Sequence, residues 1–224
     1  MFQPYDMHTH TVFSPDSQTP MEDMAEAAIR RGIAGMAITD HYNPDYPTLR
    51  FRTGQPTAEY HRGHGASGGA VRRTLEVLKG IELGVLDGDT MNAAGQRRGI
   101  MTMILSSPPF TPTGSGPLTT WHGTRPSKTE EVFRQYYEYV LSCIRQFKDY
   151  DVLAHLNLVD RYAPYVPDDS LYTDVVDEIL RTAVADGKGL EINTASWRYR
   201  MESVPPPPPL SSSAIGSWAA SILP

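Results

Sequence analysis

The chain has 224 residues, enough to bury one sizeable core and, on length alone, to form one domain. Its 20 Lys and Arg against 26 Asp and Glu leave a formal charge of -6, which argues against unspecific binding to nucleic acid or to an anionic membrane surface. Cys143 is the only cysteine, so no internal disulfide can form, and no run of ~18 apolar residues occurs; the expectation is a cytoplasmic chain with a buried structural thiol.

In chain order, the first feature is PYDMHTHTVFSPDS, residues 4–17, where His8 and His10 are separated by one residue and Asp16 follows. Thr19, Pro20 and Glu22 then read as a capping box with proline at the first helical position; Met21, Met24, Ala25, Ala28 and Ile29 form the apolar stripe before Gly32. GMAITDH, 35–41, follows as a short buried strand, and LEVLKGIELGV, 75–85, as another. A second capping box, Ser127 to Glu130, opens a long helix whose inner face carries Val132, Phe133, Tyr136, Tyr137, Val140, Leu141, Ile144 and Phe147. DVLAHL, 151–156, is a strand. Residues 171–186 form a helix with Val175, Val176, Ile179, Leu180 and Ala183 inward, closed by Gly187, and GLEIN, 189–193, is a strand again. Alternating strands and helices give an α/β class with parallel strands, in which chemistry gathers at the carboxyl ends of the strands. Residues 50–74 and 95–126 carry no apolar period and read as irregular insertions; 202–224, with consecutive prolines at 205–209, read as a disordered tail.

Four of these segments offer ligating side chains. Side chains two apart on a strand face the same way, so His8 and His10 can converge on one ion, and Asp16 can return from the next turn as an oxygen ligand. His41 ends a buried strand, with Asp40 beside it to orient the ring. Glu82 interrupts an apolar strand, where a lone carboxylate would have to be paired or protonated. His155 follows another apolar strand. Each has an ordinary reading alone: a solvated histidine pair, an edge acid, a satisfied core histidine. Independent core histidines have no reason to choose the same end of four strands. Imidazole and carboxylate without thiolate suit Zn, Mn or Fe, ions that act as Lewis acids toward phosphoryl oxygen and lower the pKa of bound water. Arg161 and Arg198, just past strand ends, could clamp phosphate oxygens. The ligand set thus suggests metal-assisted hydrolysis, most simply of a phosphate ester, with amide or deaminase-type hydrolysis using similar ligands.

Taken as a set, DMHTHTVFSPDS, AITDH, LKGIELGV, VLAHLNLVDRY and GLEINTASWRY resemble the motifs of the polymerase and histidinol phosphatase (PHP) superfamily, and within it the monofunctional histidinol-phosphate phosphatases. The resemblance covers about residues 4–49, 75–94 and 125–200. It implies a distorted (βα)7 barrel over residues 1–201, up to three divalent metal ions, and hydrolysis of L-histidinol phosphate in histidine biosynthesis. It makes His8, His10, Asp16, His41, Glu82 and His155 metal ligands, Arg161 and Arg198 contacts of the substrate phosphate, and Asp40 the catalytic candidate. The small phosphate ester is the expected partner, with no nucleic acid and no membrane.

Two motifs of the family have no counterpart. ILSSPPFTP stands where a Ser-x-His segment would bind metal, and IGSWAAS where a Gly-Ser-Asp-x-His strand would close the barrel, so the barrel is expected to be incomplete at its C-terminal side. His122, His61 and His64 lie in the irregular stretches without the ligand pattern. Family-like sequence that stops and resumes in this way is what compensating frame shifts in the coding sequence would leave. Two other readings follow from the gaps: another phosphoesterase or nuclease of the superfamily, or a catalytically impaired remnant that still binds metal.

Overall fold

The computed structural model describes residues 4–42, 75–85, 101–106, 126–161, 163 and 165–191. Arg198, His61, His64, His122 and the stretch 202–224 lie outside the described residues. The chain groups into two compact units, Met1–Gly84 with Ala94–Met103, and Val85–Ala93 with Ile104–Pro224.

In the first unit, β1 (Tyr5–Thr9) pairs in parallel with β2 (Gly35–Ile38), which pairs in parallel with β4 (Glu76–Val85). The short β3 (His41–Tyr42) also runs parallel to β4, with His41 opposite Glu82. Every residue of β2 is buried, as expected of a parallel strand covered on both faces. The segment 35–41 expected as one strand is therefore two, broken at Thr39 and Asp40, whose side chains bond to neighbouring backbone and hydroxyls. Between β1 and β2 runs α1 (Met21–Arg30), which buries Met21, Ala25 and Ala28 against Met36, Ile38 and Leu75. The capping box expected at Thr19 does not form: the cap is Pro20 and no side chain caps the helix. Glu22 and Asp23 in the first turn and Arg30 in the last still complement the helix dipole. The helix closes in a Schellman motif, with Gly32 at φ +69°, Gly32 N–H bonded to Ile29 O and Ile33 N–H to Ala28 O.

The segment 95–126, expected to be irregular throughout, contains β5 (Met101–Ser106). Its sequence MTMILS is apolar at four of six positions, too short a run to stand out among Gly and Pro.

In the second unit, α2 (Pro126–Gln146) and α3 (Thr173–Ala185) supply the core. Ser127 falls inside α2 rather than at its cap, since the helix already includes Pro126. The inner face of α2 is as expected except that Leu141 is only half-buried, and Cys143 is buried, as expected. Val175, Val176, Ile179, Leu180 and Ala183 of α3 are all buried, and the Schellman closure recurs at Gly187, φ +67°. Arg134 of α2 forks onto both carboxylate oxygens of Asp174 at the start of α3, at 3.0 and 2.9 Å. β6 (Val152–Leu153) and β7 (Gly189–Leu190) pair in parallel, shorter than the segments expected there, with 3-10 turns at Leu158–Arg161 and Asp169–Leu171. Among the described residues no helix is long and apolar enough to cross a membrane.

Candidate metal centre

The end of β1 is locked to the end of β2 by side chains as well as by the ladder. Thr9 Oγ1 donates to Ala37 O at 2.6 Å, Thr9 N–H to Thr39 Oγ1 at 3.1 Å, and Thr39 N–H to Thr9 O at 2.8 Å. The β1–β2 register is irregular between Asp6 and Thr9, the kind of local distortion that re-aims a side chain. His8 and His10 leave this corner on one side, as their spacing predicts, with the two Nε2 atoms 2.9 Å apart.

Glu82 is the focus of the site. Its side chain is 1% exposed, and its Oε2 lies 3.4 Å from His8 Nε2, 3.2 Å from His10 Nε2 and 3.0 Å from His41 Nδ1. The β3–β4 register that puts His41 opposite Glu82 accounts for the last distance. Asp16 comes back from the loop after β1, its two oxygens 3.7 Å from His10 Nδ1 and 3.6 Å from His41 Nε2. His8, His10 and Glu82, and His10, Asp16 and His41, form two triads that each bring one ligand atom per residue within 4.8 Å of the others.

The charges respond to one another. Burial pushes the His41 pKa down, but the carboxylates of Glu82 and Asp16 outweigh it and hold the imidazole above its usual value. For Asp16, burial pushes the pKa up, and the hydrogen bond to His41 with the charges of His10 and His41 brings it below the ordinary carboxylate value. His41 Nδ1 is buried with no hydrogen-bond partner although it faces Glu82 Oε2. Nitrogen lone pairs and a carboxylate oxygen crowded together with so few protons between them fit a divalent cation of the Zn, Mn or Fe type, whose ligands are neutral imidazole and carboxylate.

Asp40 points elsewhere. Its carboxylate, in a residue 3% exposed, accepts from Thr11 N–H at 2.7 Å, Thr11 Oγ1 at 2.7 Å and Ser14 Oγ at 2.6 Å. Thr11 and Ser14 were not distinguishable in the sequence, because hydroxyl residues in a loop carry no periodic signal. The one cue is their clustering in THTVFSPDS beside the histidine pair.

His155 and Arg161 belong to the second unit. His155 is buried after β6, where its backbone N–H donates to Glu191 Oε2 at 2.7 Å, and Glu191 N–H bonds to Leu153 O at 3.0 Å. Glu191, just past β7, was not singled out by sequence; an acid at the end of GLE is the signal that was there. Arg161 ends the 3-10 turn and is half-buried. Its neighbour Asp160 has a carboxyl pKa pushed up to about 6 by burial, against the hydrogen bond from Asn157.

The sequence matches the PHP domain over residues 6–195. It is 28% identical over 199 residues to a probable histidinol-phosphatase of Clostridium acetobutylicum, covering 85% of this chain and 72% of that one. It is 26% identical over 200 residues to the histidinol-phosphatase of Lactococcus lactis subsp. lactis, covering 84% and 71%. The crystal structure of histidinol phosphate phosphatase from Lactococcus lactis subsp. lactis, complexed with zinc, L-histidinol and phosphate, superposes with a TM-score of 0.74 at 22% identity, covering 98% of this chain and 82% of that one.

Proposed function

Since the chain belongs to the PHP domain family, we propose that it is a metal-dependent phosphomonoesterase that hydrolyses L-histidinol phosphate to L-histidinol and phosphate, a cytoplasmic step of histidine biosynthesis. The observation that carries the reading is the buried Glu82 carboxylate with three imidazoles within 3.4 Å of one oxygen. The substrate rests on the relatives, which are named for this activity. On this reading residues 1–201 form a distorted (βα)7 barrel and 202–224 a tail.

His8, His10, Asp16, His41 and Glu82 would hold the ions, and His155 is proposed as a further metal ligand. When bound, such ions supply Lewis acidity toward the phosphoryl oxygens and a lowered pKa for water. The protein's part is to aim these imidazoles and to hold the ester: Arg161 and Arg198 would grip phosphate oxygens through paired guanidinium hydrogen bonds. In the reaction the bond between phosphorus and the alcohol oxygen breaks, a water oxygen bonds to phosphorus, and the alcohol leaves with a proton.

ILSSPPFTP, standing where the family has a Ser-x-His segment, favours one second reading, a remnant that binds metal without turnover. Phosphate release from L-histidinol phosphate, measured on protein whose metal content is known from mass spectrometry, separates them. Turnover by the zinc- or manganese-loaded protein, lost on chelation, is expected. Metal without turnover on any ester identifies the remnant, and turnover only on other esters identifies a different phosphoesterase.

A further inference from the structure

Asp40 and Ser14 stand next to the ligating histidines without facing the cluster, and their hydrogen bonds can be counted proton by proton. Ser14 Oγ carries one hydrogen. The Asp40 carboxylate, which already accepts two bonds from Thr11, takes it at 2.6 Å. The lone pairs of Ser14 Oγ then have two donors to receive. One is His41 N–H at 3.0 Å, and the other is His10 Nδ1, also at 3.0 Å. With its hydrogen committed to Asp40, Ser14 cannot donate to His10, so His10 must donate to Ser14.

From this count we propose that Asp40 and Ser14 are positioning residues that fix His10 as its Nδ1–H tautomer and aim its Nε2 lone pair at the group formed by His8 and Glu82. The same serine anchors the backbone of His41, so a single hydroxyl sets two of the imidazoles against each other, with ring centroids 4.6 Å apart. The assignment also chooses between the two triads. His10 serves the one with His8 and Glu82 through Nε2, and its Nδ1, 3.7 Å from Asp16, is closed to a cation. Partners that hold a ligating imidazole in one tautomer are worth roughly 10- to 100-fold in metal affinity. Asp40, expected from sequence as the catalytic residue, is thus reassigned: both its oxygens are engaged by Thr11 and Ser14, and it acts through His10 and His41.

The inference rests on the metal reading for its consequence but not for its geometry, and the test separates the two. Nitrogen-15 NMR of histidine-labelled protein reads the His10 tautomer with and without zinc, and cobalt(II) titration followed by its visible spectrum reads affinity. The expected result is Nδ1–H on His10 in the native protein, and in Ser14→Ala a loss of that tautomer preference with cobalt affinity lowered roughly tenfold or more while the circular dichroism spectrum stays that of the native fold. Ser14→Thr, which keeps the hydroxyl, should recover the tautomer and the cobalt spectrum. An Nε2–H His10 in the native protein overturns the proposal, and so does a Ser14→Ala protein with native tautomer and affinity. Protein with the Nδ1–H tautomer that takes up no metal would refute the proposed function and leave the hydrogen-bond assignment standing.

Discussion

Glu82 is the residue on which the site's charge balance turns. A carboxylate this deeply buried is costly unless cations or hydrogen-bond donors surround it, and here three imidazoles from two separate segments do so. Glu82→Gln keeps the volume and removes the charge. The prediction is loss of bound metal, seen as sub-stoichiometric zinc by mass spectrometry, with His10→Ala giving the same loss and abolishing turnover; stoichiometric zinc in both would refute the ligand assignment. Asp160 makes a second prediction of a different kind. Its folded pKa of about 6 lies above the ordinary 3.8, so the protonated form is favoured in the fold. That advantage is present in full below the ordinary value and is lost as pH rises through about 6, after which a buried charge burdens the native state by at most about 3 kcal/mol. Asp160→Asn should therefore be more stable than the native chain near neutral pH and converge with it near pH ~4. Urea midpoints across that range decide, and a stability difference that does not change with pH would contradict it.

At the scale of elements, both helices that end in the described Schellman motifs depend on a glycine in the left-handed region. No atom lies within 4 Å of a Cβ built on Gly32 or Gly187, so a side chain there has room and only the backbone conformation resists it. Gly32→Ala should cost about 1–2 kcal/mol from that conformation alone, measured by chemical denaturation, and a neutral effect would show that α1 ends differently. These glycines were legible in the sequence because a turn residue after a 3.6-period stripe has one common meaning. The inner faces of α2 and α3 were legible for the same reason, the period itself. Boundaries were less so: Thr19 and Ser127 had the composition of caps, yet Pro20 and Pro126 set the helix starts, since proline's fixed φ suits a first turn whatever stands beside it. β5 was missed because six residues are too few to show a period. Of the site, the histidines and Glu82 could be read because a charged or ligating group at an apolar strand end is chemically conspicuous. Thr11 and Ser14 could not, because their partner Asp40 is 26 or more residues away in sequence and only the fold joins them.

For the molecule as a whole, the consequence of such a site is that folding and metal binding are linked. His8 lies in β1 and His10 just past it, Asp16 lies in the next loop, His41 in β3 and Glu82 in β4, so no stretch of unfolded chain contains the set and an ion binds the native state far better than the unfolded one. Without the ion, the same packing holds a buried carboxylate against imidazoles that must carry protons to balance it. A ligand that binds only the native state, present at a hundredfold excess over its dissociation constant, adds about 2.7 kcal/mol of stability. For a chain of this size that is a shift in thermal midpoint on the order of 5–10 °C. Protein stripped by chelator and verified metal-free should therefore melt lower than protein reloaded with zinc or manganese, by a margin that grows with the logarithm of free metal. Glu82→Gln should lose most of that dependence, because its site no longer prefers the cation. Identical melting of stripped and reloaded protein, with metal demonstrably bound in the second, would mean that the ion sits on a surface as available unfolded as folded, and the convergent cluster would not be its site.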